Sequence, residues 1–426
     1  MTRHRKSQKP RSFTPLQDEL FQLTIDAVGP AVAVSMISKK FAAVGVRLSP
    51  RERGQLCEAI KSGELDRFSV RRRKTAGAVI RFTSKDGNAL IDKATEVSMA
   101  IIRKELDEGS HLQAAHVLKR LHAKWRSRNA WEQRGEGGFR RRLRRRWKRP
   151  FGLLRMLMTV YRESGEAMAN ALIGTTAGGR PITATVLIQL HACSCQVLYE
   201  VITLIEGGFA DGAMARCRTL HEIAVTAMFL QQGGEDLTRA YCDHEVVESW
   251  KAIQKHLKYL GRIAEKPPSP KARERLQRRY EALLAKYGKP FKEQYGWAAA
   301  TLKKDRPSFA DIELATNVDH LRPYYQLASH PVHANAKGLY FKLGAFQRRG
   351  ISALATNHGF ATPASNAVMS LVHTISALLL LAPSLDAIVN VRLIQKLVDE
   401  VELAFARTQR AEVKRFRQFD REDPKQ

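Results

Sequence analysis

Apolar positions recur at helical spacing through most of the chain, and glycine and proline punctuate them. From Thr14, the run TPLQDELFQLTIDAVGPAVAVSMISKKFAAVGV keeps a helical apolar period, with a break expected at Gly29-Pro30. SPRERGQLCEAIKSG offers Ser49 as a cap, Pro50 at the first helical position and Gly63 as a stop. AGAVIRFTS, Ala76 to Ser84, is the best strand candidate, and the pattern then returns to helix at DGNALIDKATEVSMAIIRKELDEG. One isolated strand makes no sheet. After Pro150, long apolar helices follow one another with short glycine-bearing turns, and two more helices are expected over 361–384 and 388–418.

This pattern predicts an all-α fold, with at most one or two short strands: a small helical module over 13–125 and an antiparallel helical bundle over 151–418. Residues 126–150, RSRNAWEQRGEGGFRRRLRRRWKRP, change character and mark a boundary. Gly135, Gly137 and Gly138 are expected to interrupt helix there, and a dense cationic run follows. As a helix this run would carry like charges four apart, which repel unless an anion neutralises them. Residues 1–12 read as a disordered basic arm and 419–426 as a polar tail.

Composition sharpens the picture. The 426 residues carry a formal charge of +29, which suggests a polyanionic partner. Arg140, Arg141, Arg142, Arg144, Arg145, Arg146, Lys148 and Arg149, with Phe139 and Trp147 interleaved, are the expected contact to RNA or DNA phosphates and bases. The five cysteines form no CxxC and read as reduced thiols, as in a cytoplasmic protein. Val368 to Ala382 is apolar but shorter than the roughly 18 residues a membrane span needs, so it reads as a buried helix, and no span is expected. The N-terminus does not read as a signal peptide.

Nucleotide-cradling loops and the hydrolase elbow are missing from the sequence. HEIAV (His221 to Val225) and HEVVE (His244 to Glu248) lack the second histidine of a zinc-protease helix, so no metal or cofactor is expected. The chemistry-bearing positions lie elsewhere. Arg218 and Glu222 are one turn apart on a largely apolar helix, and about a hundred residues later YYQLASHPVHANAKG carries Ser329 and His333, also four apart. Pro331 between them suits a first helical turn, with Ser329 or His330 as the cap.

The run Gly208, Ala215, Arg218, Glu222, followed by Tyr325-x-x-x-Ser329-x-x-x-His333, resembles an uncharacterised bacterial family of helical proteins, DUF family 5677. The resemblance covers roughly residues 165–385 and implies an all-helical domain in which Arg218, Glu222, Ser329 and His333 meet. It brings no activity, and His330-Pro331 depart from the pattern. A looser similarity is to the HEPN superfamily, helical bundles that include metal-independent ribonucleases, whose motif is an arginine, four to six residues and a histidine. Arg216…His221 and Arg239…His244 match that spacing, but about four matches are expected from composition alone.

The sequence therefore supports three readings. The first is a nucleic-acid-associated helical protein with a polar Arg–Glu/Ser–His site. The second is a HEPN-like ribonuclease, a toxin or phage-defence effector, with Arg218, Glu222, Ser329 and His333, or Arg239 and His244, as its catalytic groups. The third is a binding or scaffold module whose polar site only pins two helices together.

Overall fold

The computed structural model describes residues 15–62, 70, 83–173, 181–263, 265–333, 336–344 and 354–422. The expected basic arm and nearly all of the expected strand lie outside them. The described residues are all-α and contain no strand. The chain divides into two compact units, Met1–Glu132 and Gln133–Gln426.

The first unit holds α1 (Pro15–Ala43), α2 (Pro50–Ser62) and the N-terminal part of α3 (Ser84–Arg146). Helix α1 runs through Gly29-Pro30, contrary to the expected break. Proline forfeits one backbone hydrogen bond, but its fixed φ is compatible with helix, so the turn is weakened rather than ended. Helix α2 starts where its capping residues dictate. The Ser49 amide donates to Glu52 Oε2 at 2.8 Å and the Glu52 amide donates back to Ser49 Oγ at 3.3 Å. Ala33, Leu48, Leu56 and Ala94 are buried, and Lys40 pairs with Asp86 at 2.6 Å.

The second unit is a helical bundle of α4 (Lys148–Ile173), α5 (Pro181–Gly207), α6 (Ala210–Asp243), α13 (Ala361–Leu379) and α14 (Leu385–Glu422). Helix α6 packs against both α5 and α13, α13 against α5 and α14, and α4 against α5 and α14. Buried residues follow the helical period: Leu198, Val201, Ile202 and Ile205 on α5, and Ala364, Ala367, Val368, Leu371 and Ile375 on α13. The α5–α6 turn needs Gly208, whose φ of +90° is open to glycine. Helix α6 loses helical geometry at Gly234, where φ is +73°. Helix α5 alone among the described helices is long and apolar enough to cross a membrane, with a mean hydropathy of 1.3 over its most apolar window, and 44% of that window is buried in the bundle.

Shorter elements lie between α6 and α13 in the chain. They are α7 (Glu245–Tyr259), α8 (Pro270–Tyr287), α9 (Ala299–Leu302), α10 (Phe309–Ala315), α11 (Arg322–Ser329) and α12 (Ala336–Tyr340). Of these, α7, α10 and α11 contact α6. Ser269 and Ser308 cap α8 and α10 through the Ala272 and Asp311 amides.

The expected interruption of helix within residues 126–150 is corrected by the structure. Helix α3 continues through Gly135, Gly137 and Gly138 to Arg146, and the expected tail begins as the end of α14. Helical hydrogen bonding carries on into α4, with the Trp147 amide donating to the Leu143 carbonyl at 2.9 Å and the Phe151 amide to the Trp147 carbonyl at 3.0 Å. The reason is the spacing of apolar residues inside the cationic run. Leu143, Trp147, Phe151 and Leu154 recur every three or four positions and are all buried, so the run is one face of a core helix.

Candidate functional site

Helix α11 docks on α6 and brings the two distant segments together. Arg218 and Glu222 stand one turn apart on α6, with the guanidinium Nε donating to Glu222 Oε1 at 3.0 Å. Arg218 Nη1 lies 3.3 Å from Ser329 Oγ and 3.1 Å from His333 Nε2. The Tyr325 hydroxyl donates to Glu222 Oε1 at 2.8 Å, and the Arg218 guanidinium sits 4.9 Å from the centre of the Tyr325 ring. All four residues expected to meet do meet. Tyr325, which in sequence only opens the spacing that leads to Ser329 and His333, is the fifth member of the cluster.

Backbone geometry fixes the two later residues. Helix α11 ends at Ser329, and its carbonyl accepts from the Val332 amide at 3.2 Å and the His333 amide at 3.1 Å. Pro331 therefore lies in the turn after a helix and does not open one, which corrects the expected phase. The Ser329 hydroxyl bonds back to the Tyr325 carbonyl at 2.9 Å, so it is anchored one turn up its own helix.

The electrostatics follow from donor and acceptor rules. A guanidinium can only donate, so His333 Nε2 accepts, which puts the ring proton on Nδ1. Burial, followed by the neighbouring Glu222 carboxylate, pushes the Tyr325 phenol well above its ordinary range. Burial disfavours the Arg218 charge, but Glu222 outweighs it and the guanidinium is held above its usual value.

A second polar cluster supports the first from behind. Glu313 on α10 is fully buried, accepts from His221 Nε2 at 2.8 Å and also accepts from Arg322 at the start of α11. The His221 ring lies 5.5 Å from that of Tyr325. This bridge locks α10 and α11 onto α6, and so sets the distance between Arg218 and His333. The spacing that drew attention to Arg216…His221 thus has a structural cause, with His221 tied to Glu313 and Arg216 paired with Glu200 at 2.5 Å. Nothing in the local sequence around Glu313 marks it as buried. The crevice beside the cluster, bordered by Cys217, His221, Leu321 and Tyr325, has room for about 10 Å³, the space of one water. Among the described residues no three His, Cys, Asp or Glu side chains are gathered as a metal site would need.

Arg239 and His244, the weaker catalytic pair, are placed differently. Arg239 is exposed, whereas His244 is buried, its Nε2 donating to the Glu293 carbonyl at 2.9 Å. Five residues on a helix turn through about 140°, so the two side chains leave on different faces.

The cationic run divides in the same way. Arg140, Arg141, Arg142, Arg144, Arg145, Lys148 and Arg149 are exposed. Arg146 is exposed as well, but its guanidinium pairs with the buried Glu412 of α14 at 3.1 Å. Trp147 is fully buried, with its Nε1 donating to the Asn357 carbonyl at 3.2 Å and its ring 4.9 Å from that of Phe360. The expected stacking of Trp147 on bases does not hold, since the ring is a core side chain. The indoles of α3 that do face solvent, Trp125 and Trp131, belong to the first unit.

With this geometry in place, residues 184–350 match the model of a family of unknown function, DUF5677. That stretch is similar to the DUF5677 family. It contains α6 and α11 and with them the whole Arg218–His333 cluster, while the cationic run of α3 and the paired α13 and α14 fall outside it. No curated protein and no solved structure matches the chain at a significant level.

Proposed function

We propose that the protein associates with nucleic acid through the outward face of the last turns of α3 and the first of α4. The carrying observation is that Arg140, Arg141, Arg142, Arg144, Arg145, Lys148 and Arg149 are all exposed on a helix whose opposite face is rooted in the core. A cationic loop would have to be ordered by its ligand, whereas these charges already have a fixed spacing. The formal charge of +29 supports the same reading. Changing Arg140, Arg141, Arg142, Arg144 and Arg145 together to Gln tests it, with RNA and DNA binding measured against salt concentration. The slope of log K against log[salt] is expected to flatten by about 0.7 to 0.9 for each phosphate that the variant no longer neutralises. An unchanged slope disposes of the proposal.

The Arg218–His333 cluster favours a second reading, metal-independent cleavage of RNA, as in HEPN ribonucleases. His333 is exposed and its Nε2 carries a lone pair held by Arg218. An incoming phosphate would compete for the guanidinium, leaving Nε2 to take the proton of a 2′-hydroxyl as that oxygen bonds to phosphorus, the P–O5′ bond breaks and the departing 5′-oxygen gains a proton from water, while Arg218 offsets charge developing on phosphorus. Glu222 would keep Arg218 aimed. If expression of wild type and His333→Ala is equally harmless to cells and cellular RNA stays intact in both, this reading fails.

A further inference from the structure

The carboxyl-terminal end of α14 carries a second dense set of cations. From Arg407 to Gln418 the sequence is RTQRAEVKRFRQ, and Glu412 is its one carboxylate. Arg407, Arg410, Lys414, Arg415 and Arg417 are exposed, while Glu412 is buried at 4% exposure. Glu412 accepts from Arg146 of α3 at 3.1 Å through one oxygen and from Arg415 at 2.7 Å through the other. The single acid of this segment is thus turned inward and consumed in joining two basic helices.

Helix α14 runs antiparallel to α4 up to this join. Phe405 of α14 lies 6.2 Å from Phe151, ring to ring, and seven residues later Glu412 meets Arg146. Numbering rises on one side as it falls on the other along α4 and α14, and the Arg146–Glu412 pair extends the join to the last residue of α3. The loop before α13 pins them together, with Asn357 receiving the Trp147 indole proton at 3.2 Å and donating to Glu412 at 3.3 Å.

The aromatic residues of both segments face inward or sideways: Trp147 is fully buried, and Phe139 and Phe416 are half-buried. A surface that grips single strands combines cations with exposed rings on which bases stack. Paired cationic rows without such rings suit a ligand whose bases are already stacked away and whose phosphates lie on two strands.

Resting on the nucleic-acid reading above, we infer that α14 forms the second wall of the binding surface, with Arg410, Lys414 and Arg417 contacting phosphates, and that the ligand is a nucleic-acid duplex. Binding of the full chain to double-stranded RNA, double-stranded DNA and single strands of equal length, measured across a salt series, tests it. The variant Arg410→Gln/Lys414→Gln/Arg417→Gln is expected to flatten the duplex slope by roughly 2 to 3, at about 0.9 per phosphate contact. If that variant loses its helical circular dichroism, the three single substitutions carry the same test, each lowering the slope by about 0.9. Tighter binding of either duplex than of single strands supports the inference. A single strand bound as tightly as both duplexes overturns it. So does an α14 variant with wild-type slope, even where the α3 substitutions flatten theirs. Wild-type chain without salt-dependent binding to any of the four ligands would instead remove the underlying nucleic-acid reading.

Discussion

Arg218 and His333 lie 115 positions apart in the chain, and Nη1 of the first stands 3.1 Å from Nε2 of the second. The contact is made at the edge of the fold, yet three layers hold it in place. Glu222 and the Tyr325 ring aim the guanidinium. The Ser329 carbonyl ties down the His333 backbone. The buried Glu313, bonded to His221 and Arg322, fixes α11 on α6. An exposed surface pair contributes little to stability, so this much support around one is a reason to test the cluster for function and for stability separately.

Arg218→Ala and Glu222→Ala should each lower stability, and the double variant should lose less than the sum. Both side chains are partly exposed, at 27% and 37%, so each single change is expected to cost about 0.5–1 kcal/mol. A coupling of about 0.5 kcal/mol or more in the double-mutant cycle, measured by urea unfolding, would show the pair acting as a unit. Strict additivity would mean that the two residues do not cooperate in the folded state.

His333→Ala should leave stability within about 0.5 kcal/mol of wild type, since the ring is exposed and its partner among the described residues, Arg218, retains Glu222. Thermal unfolding checks this. A larger loss would assign the histidine a structural task and weaken the catalytic reading.

Trp147→Ala is expected to cost about 3–5 kcal/mol, the range for emptying a large buried aromatic. The indole is fully buried among Phe151, Phe360 and Phe405, and its departure also leaves the Asn357 carbonyl without its donor. A residue waiting at the surface to stack on bases would tolerate the change. Chemical denaturation of the variant therefore separates the two roles directly.

The parts of this architecture that were legible in sequence are those governed by local period and local caps. Arg218 with Glu222, and Ser329 with His333, stand out because a four-residue spacing survives in any helical context. The Ser49 cap is legible for the same reason. Residues 126–150 mislead because charge density hides a period. Leu143 and Trp147 are the only apolar residues between Arg140 and Arg149, and three glycines precede them. Exposed glycine costs a helix only about 1 kcal/mol each, which docking of Leu143, Trp147 and Phe151 outweighs. The role of Glu412 depends on which helix lies beside which, so no reading of α14 alone reveals that its acid faces inward. The same holds for Glu313, which is buried only because α10 and α11 fold over α6.

Acid should destabilise the protein well before its carboxylates titrate. Burial holds the imidazoles of His191, His244, His358 and His373 below their ordinary value of 6.5. In the unfolded chain each regains that ordinary value, so below it the unfolded state binds more protons than the folded one. Stability then falls as pH drops, each histidine contributing at most about 1.4 kcal/mol per pH unit. Above about pH 7 all four are neutral in both states and their effect vanishes. The ion-paired carboxylates act in a lower window, since Lys40 holds Asp86, and Lys304 holds Asp311, at about 2 from an ordinary 3.8. Urea midpoints taken from pH 7.5 to 5 isolate the histidine contribution. The midpoint should decline across that span, and the decline should lessen in a His358→Gln variant, which removes one titrating ring from a half-buried position beside Gln409. A midpoint that stays level to pH 5 would mean these rings are as easily protonated in the folded protein as in water.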